Sequence, residues 1–286
     1  MIVVPAVRAV ADLTVHDHLC HVYDREAEVS RDLLEYVVAG LARRERVQVH
    51  VTAGAAGAAI GDDLRAAGLP VCELVERGLL AIAPAEAAFF AGDTFDADRR
   101  LAALAADARA AVDDGLTGLR AYVDTRFVLD HPGALAAWPG YELRADLLAK
   151  QLPITAVCAY DARHWTPEDL FRAETVHTRR SRDHGAFGMN AGRDGALRLS
   201  GEIDSLTADQ VYRMLIVTAP SRPTPVLDVR GVSFVDVSGA RSIGAACEVI
   251  SSRHGPTRLR ALPPLLRRIW ESATWSACFP SVCIED

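Results

Sequence analysis

Lysine is almost absent from this chain of 286 residues: Lys150 stands alone against thirty arginines. Together with the abundance of alanine this reads as codon bias of a GC-rich genome, and no function is drawn from it. Long apolar runs are missing too. None reaches the ~18 residues of a membrane span, so no membrane association is expected. The opening stretch, MIVVPAVRAVADLTVHD, has no basic leader and no clear small-residue cleavage pattern, which makes it a poor secretion signal and cytoplasmic residence the expectation. Positive charge is in deficit, with a net charge of −7, which argues against direct nucleic-acid binding. The six cysteines (Cys20, Cys72, Cys158, Cys247, Cys278 and Cys283) include no CxxC pair and read as small buried residues rather than a disulfide framework.

Catalytic signatures are equally sparse. There is no GxSxG turn for a nucleophilic serine; LSGE and VSGA hold Ser-Gly pairs without forming such an elbow. The glycine-rich segment AGAAGAAIGDD, after a strand ending at Thr52, leads into a helix as a phosphate loop would. It lacks the Lys-Ser/Thr pair that reaches phosphate and magnesium, and Asp62 and Asp63 would repel a triphosphate. Asp124, Asp130, Glu142 and Asp161 fall near strand ends and read as caps or solvated loop residues. No enzyme activity, catalytic residue, metal or cofactor is expected.

What is present is a chain that is half apolar and about a quarter charged, enough for a sizeable core and roughly two domains. Up to about residue 180, short β-rich runs alternate with helical patterns. HLCHVY (18–23), RVQVHVT (46–52), LLAIAP (79–84), LRAYVD (119–124) and ITAVCAY (154–160) read as strands. Between them lie helices over 26–45, with Val29, Leu33, Leu34, Val37, Val38 and Leu41 on one face, and over 58–67, 95–114, 141–150 and 167–178. Such repeated β–α units imply a largely parallel sheet covered on both faces. An Arg-, Asp- and Gly-rich stretch over 181–195 is a linker, and its Phe187–Asn190 run is an edge strand of the second domain. Beyond it, 196–286 alternates again, with strands at 196–201, 225–231 and 257–262 and helices at 207–218, 238–253 and 264–272. From Ala196 onward ten arginines meet nine acidic residues, so the negative charge belongs to the first part.

Two features could carry chemistry. HDHLCH places His18 and Cys20 on one face of a strand and His21 on the other. Imidazole and thiolate suit a metal, with Cys158, His164 or His177 as further ligands. The blander reading, which we favour, makes His18 and Cys20 pocket or core residues. A single thiol there could respond to oxidants, but no second cysteine is near it in sequence. The other feature is LRLSGEID (197–204) followed by LDVRGVSFVDVSGARSIGAA. A strand, an apolar connector at 232–235 and the turn Asp236-Val237-Ser238-Gly239 open a helix whose N-terminus Asp236 or Ser238 can cap.

The segments LRLSGEIDSLTADQV, VLDVRGVSFVDVSGARSI and TRLRAL resemble the STAS domain of anti-sigma-factor antagonists over about 185–286. That resemblance implies a small sheet with packed helices, partner switching with an anti-sigma serine kinase, and phosphorylation in the turn containing Asp236, Ser238 and Gly239. The slot directly after the Asp, where the family's acceptor usually stands, holds Val237; Ser238 is the hydroxyl of the turn. Were Ser238 the cap, its oxygen would be committed to the helix and the domain would act without phosphorylation. The first part resembles the MEDS sensory domain over about 14–180. The resemblance rests on HLCHVYD, FVLDHPGALAAWPGYE and VCAYDARHWTPEDLFRAETVH. It implies a degenerate P-loop-derived, RecA-like fold that senses a small hydrophobic molecule, with His18, Cys20, Tyr23, Cys158 and Tyr160 as ligand contacts. The expectation is a transcription-regulating relay. The alternatives are a metal- or thiol-dependent sensor or enzyme using His18, Cys20, Cys158 and His177, and a stress-complex scaffold or homodimer docking through the tail WESATWSACFPSVCIED.

Overall fold

The computed structural model describes residues 10–52, 55–182, 186–219 and 222–285. Ala53 and Gly54 of the glycine-rich turn, residues 183–185 of the expected linker and the first nine residues lie outside the described residues. The first part runs β1 (His18–Tyr23), α1 (Glu26–Ala42), β2 (Glu45–Val51), α2 (Ala55–Ala66), α3 (Val71–Glu76), β3 (Leu80–Pro84), α4 (Ala85–Phe89), β4 (Phe90–Ala91), β5 (Thr94–Phe95), α5 (Ala97–Asp113), β6 (Gly118–Asp124), α6 (Pro132–Gln151), β7 (Ile154–Asp161), α7 (Pro167–Val176) and β8 (Arg179–Arg180). Strands β3, β2, β6, β7, β1 and β8 lie side by side in that order, every neighbour parallel. Strands buried on both faces need helices on both, and the β–α alternation supplies them.

One face of this sheet packs under α1, where Leu33, Tyr36 and Val37 meet Val47, Val49, Tyr122 and Val157. Gly40 lets that helix approach closely: a Cβ there would stand 2.5 Å from Cδ of Arg120 and 2.9 Å from Cγ2 of Val47. Arg120 is held beneath by Glu45, 2.5 Å away, and by the carbonyl of Leu13 at 2.6 Å, with the Tyr36 ring below its guanidinium. The other face packs under α6 and α7, where Phe89, Phe127, Trp138 and Tyr141 form an aromatic group over Val22, Val123 and Tyr160.

The second part comprises β9 (Phe187–Ala191), β10 (Leu197–Ile203), α8 (Ala208–Thr218), β11 (Val226–Val235), α9 (Val237–His254), β12 (Thr257–Arg260), α10 (Pro264–Ser272), α11 (Trp275–Cys278) and β13 (Val282–Glu285). Its sheet runs β13, β12, β11, β10, β9; only the β9–β10 edge is antiparallel.

Three expectations change. Helix α6 begins at Pro132, a full two turns before Tyr141, and runs through Pro139. Trp138 and Pro139 are buried there, so packing keeps the helix going where proline usually stops it. Residues 232–235, expected as a connector, continue β11, shifted in register against β10. The third concerns the cysteines, expected to be buried: Cys72, Cys278 and Cys283 are exposed. The tail covers its own core, with Trp270 and Trp275 buried and in edge contact.

The two sheets share one hydrophobic seam. Leu143 of α6 and Val176 of α7 belong to the same core as Phe187, Met189, Leu199 and Leu215 of the second part. Gly140 of α6 comes so near α8 that a Cβ would lie 3.1 Å from the carbonyl of Val217.

Candidate functional site

In β1, the alternation of a strand sends His18, Cys20 and Val22 toward α6 and sends Leu19, His21 and Tyr23 toward α1. β7 lies beside it in register, with Cys20 opposite Cys158 and Val22 opposite Tyr160. Helices α6 and α7 then close the face, and each contributes one polar group to it: Glu142 and, just past the end of α7, His177.

Glu142 is the centre of the site. It is fully buried. Its Oε1 accepts a 2.6 Å hydrogen bond from the Tyr160 hydroxyl, whose oxygen in turn accepts from the Trp138 indole at 2.9 Å. Its Oε2 faces three groups at once: His18 Nε2 at 3.3 Å, Cys158 Sγ at 3.4 Å and His177 Nε2 at 3.6 Å. His18 Nε2 is also 3.5 Å from the Cys158 sulfur. The two imidazole rings stand 4.2 Å apart. His177 Nδ1 lies 2.7 Å from the Ala173 carbonyl, which can only accept, so Nδ1 carries the proton and Nε2 is bare.

Electrostatics follows from these distances. Burial opposes charge on Glu142, but His177, His18 and the Tyr160 hydroxyl outweigh it and hold the carboxyl down at about 2. His18 is opposed by burial and supported by Asp146 and Glu142, which bring it up to about 9. His177, equally buried and next to that cation, falls to about 4 and is neutral. The thiols of Cys20 and Cys158 are pushed well up, by burial first and nearby carboxylates second. A reactive cysteine needs the reverse, a depressed thiol in an exposed, electropositive place. Free of any ion, these are inert thiols.

A second line of polar groups leaves this cluster along α6. Asp146, one turn after Glu142, lies 3.8 Å from His18 Nδ1 and accepts from Thr178 Oγ1 at 3.0 Å and from Lys150 Nζ at 2.6 Å. Lys150, another turn on, donates to the carbonyl of Ala191 at 2.8 Å. Ala191 belongs to β9, the edge of the second sheet. Asp146, in ion-pair range of His18, and the partly buried Lys150 thus lead from the first sheet to the backbone of the other.

In the second part, Asp236 caps α9: Oδ1 accepts from the Gly239 amide at 2.8 Å and Oδ2 from the Ser205 amide at 2.9 Å. Of the two candidates for the cap, Asp236 is the one used. Ser238 is exposed, and its hydroxyl is not committed to the helix among the described residues. The physical reason for a constitutively unmodified domain is therefore gone. A Cβ on Gly239 would sit 2.5 Å from the Ile203 carbonyl, so the turn needs glycine for the β10 end to approach. Around this turn Leu206 is 87% exposed, Val237 61% and Phe234 45%, an apolar group at the same end of the sheet.

Of the residues expected to contact a ligand, His18, Cys158 and Tyr160 come together. Cys20 is beside Cys158 but outside the group around Glu142. Tyr23 does not join them: it faces the opposite side, where with Leu33, Tyr122, Asp124, Asp161 and Arg163 it lines a separate cavity of about 420 Å³. His164 is half exposed and pairs with Asp161 instead. Glu142, expected as a cap or loop residue, is the residue that sequence reasoning misplaced. The available signal was Glu142, Asp146 and Lys150 at four-residue spacing, one polar stripe on a largely buried helix.

Known proteins resemble the chain in two separate stretches. A model described as the methanogen/methylotroph DcmR sensory domain, MEDS, matches residues 17–178, and one described as the Mlab STAS domain matches 189–278. No curated protein matches. Among solved structures, an anti-sigma factor antagonist from Mycobacterium paratuberculosis is 23% identical, with 34% of this chain and 85% of that one covered and a TM-score of 0.28. A DUF1998 helicase, MrfA, bound to DNA and AMPPNP is 10% identical, with 94% and 39% covered and a TM-score of 0.33. Scores this low compare no overall fold. Among the described residues, no helix is long and apolar enough to cross a membrane.

Proposed function

Because this chain belongs to the MEDS family of sensory domains and continues into a STAS domain, we propose that it is a non-enzymatic cytoplasmic relay. The first part receives a small-molecule cue and the second grips an anti-sigma serine kinase. The observation that carries this reading is the continuity between the two sheets. Glu142 faces the buried cluster while its neighbour Leu143 packs into the core of the second part, and Lys150 bonds the β9 backbone. A ligand that binds one arrangement of α6 better than another shifts the second part by that difference in affinity.

The descent of the first part from a P-loop fold belongs to the same reading. It is supported by the all-parallel sheet and by a glycine-rich sequence after β2 that leads into a helix. The cavity beside Tyr23, with Leu33 and Tyr122 as its apolar wall, is a place for the small hydrophobic molecule.

At the other end, Leu206, Phe234 and Val237 make the apolar part of a kinase-binding face, and Ser238 is the group to be modified on it. A phosphate at the second residue of α9 meets free amides and does not disturb the helix itself. Its effect falls on the partner, where a dianion enters an apolar contact. Titration calorimetry against anti-sigma kinases of the same cell tests this. Wild type binds; Phe234→Asp and Ser238→Glu each weaken binding at least about tenfold, or ~1.4 kcal/mol. Absence of binding by the wild-type chain to every such kinase, with and without nucleotide, overturns the reading.

A further inference from the structure

The geometry points to a divalent metal site, zinc first, formed by His18 Nε2, Glu142 Oε2, Cys158 Sγ and His177 Nε2. This goes beyond the relay reading and does not depend on which partner the second part grips. The four donor atoms lie within 4.8 Å of one another. A tetrahedral zinc with bonds of about 2.0–2.3 Å spaces its ligands about 3.3–3.6 Å apart. Four of the six edges fall in that range, at 3.3 Å (His18 to Glu142), 3.5 Å (His18 to Cys158), 3.4 Å (Cys158 to Glu142) and 3.6 Å (His177 to Glu142), and the two from His177 to His18 and Cys158 lie within 4.8 Å. Hydrogen bonds alone do not require such a set, because the optimum for N–H···O is about 2.9 Å.

An independent observation is the orphaned nitrogen of His177. Its Nδ1 proton is given to the Ala173 carbonyl, so bare Nε2 faces the Glu142 carboxylate: two acceptors at 3.6 Å, the nitrogen having no hydrogen-bond partner among the described residues. Buried nitrogen without a partner is rare and unfavourable. A cation between the two removes the conflict. The outer groups suit a ligand set as well: Asp146 stands behind His18 Nδ1, the Ala173 carbonyl orients His177, and Tyr160 holds the oxygen of Glu142 that the metal does not use.

Charge closes too. A divalent ion with one thiolate, one carboxylate and two neutral imidazoles sums to zero, as a fully buried site requires. Binding displaces the Cys158 thiol proton and the second ring proton of His18. Two nitrogens, an oxygen and a sulfur favour zinc or another borderline divalent ion over magnesium or calcium. With all four residues buried, the site is closed and loads as the chain folds or opens locally. Its ligands come from β1, α6, β7 and the end of α7, so an ion clamps the two helices that also reach the second core.

The test is metal analysis of the full chain purified without an affinity tag, followed by chelation and titration with cobalt(II). We expect about one zinc per chain, and with cobalt a thiolate-to-metal charge-transfer band and the intense visible absorption of four-coordinate cobalt. Cys158→Ser abolishes the charge-transfer band; Cys20→Ser, next in register but outside the four, retains it. A wild-type chain that carries no stoichiometric metal and gives no cobalt band overturns the site, as does a charge-transfer band that survives in folded Cys158→Ser. If Cys158→Ser does not fold, the pair of wild type and Cys20→Ser decides: the band in both supports the site, and its loss in Cys20→Ser overturns the choice of sulfur.

Discussion

His50 shows at the scale of one residue how burial fixes a protonation state. It sits on β2 against the edge of Phe89, both ring nitrogens without a partner among the described residues, and burial followed by the charge of Arg100 brings it down to about 3. The folded-state value is depressed, so the unfolded chain binds the proton more tightly. The contribution is complete above about pH 6.5 and is lost as the pH falls from there toward 3. Between pH 7 and pH 5 this one group removes about 2 kcal/mol of stability. Urea unfolding of wild type and His50→Leu at the two pH values measures it: the loss in the variant is smaller by about that amount. An equal loss in both assigns the acid sensitivity elsewhere. Glu142 is the contrasting case, a charge kept in the interior because His18, the Tyr160 hydroxyl and the Cys158 thiol compensate it, and none of the three is its sequence neighbour.

Among the elements, α1 and α6 show opposite uses of residues that do not favour helices. Gly40 in α1 gives up some helix propensity to admit Arg120 and Val47. In an exposed helix Gly→Ala gains about 0.5–1 kcal/mol. Here a methyl group would enter the space of Arg120 Cδ, and Arg120 cannot move away without leaving the buried Glu45 with no cation and only the Thr155 hydroxyl. Gly40→Ala therefore destabilises, by about 1–3 kcal/mol, read as a lower urea midpoint at an unchanged slope. A stabilised variant would show that the sheet yields at this point. In α6, Pro139 is carried because Trp138 and Tyr141 on either side bury large rings against β7 and the aromatic group. The polar stripe of Glu142, Asp146 and Lys150 runs beside these rings.

For the molecule as a whole, the question is whether the two sheets act together. Lys150 is the test because it is the group that bonds Asp146 on one side and the β9 carbonyl on the other. Lys150→Met keeps the length and apolar stem of the side chain and removes those bonds. Expected are a loss of about 1–3 kcal/mol and faster hydrogen exchange over β9 (187–191), with the centre of the first sheet still protected. Unchanged exchange in β9 would mean that the two parts touch without communicating.

Much of this architecture is legible in the sequence. The alternation of β-rich and helical runs locates β1, β2, β3, β6, β7, β10 and β12 within a few residues, because strand and helix periods are local properties of the chain. The same alternation places His18 and Cys20 together on one face. Short α3 and α4 leave too little periodic signal to be read, and the start of α6 is hidden by Pro139 and Gly140, which resemble a boundary in sequence.

What the sequence determined by itself is the longer strands, their two-fold alternation and the polar turn over 236–239 that opens a helix, since each depends on residues within a few positions of one another. What only the tertiary structure decided is the order of the strands and the company Glu142 keeps. Registering β1 against β7 brings residues 18 and 158 into contact, and the packing of α6 and α7 adds 142 and 177. A carboxylate can be charged in a protein interior only where distant parts of the chain arrive with compensating groups, and no local pattern records that arrival.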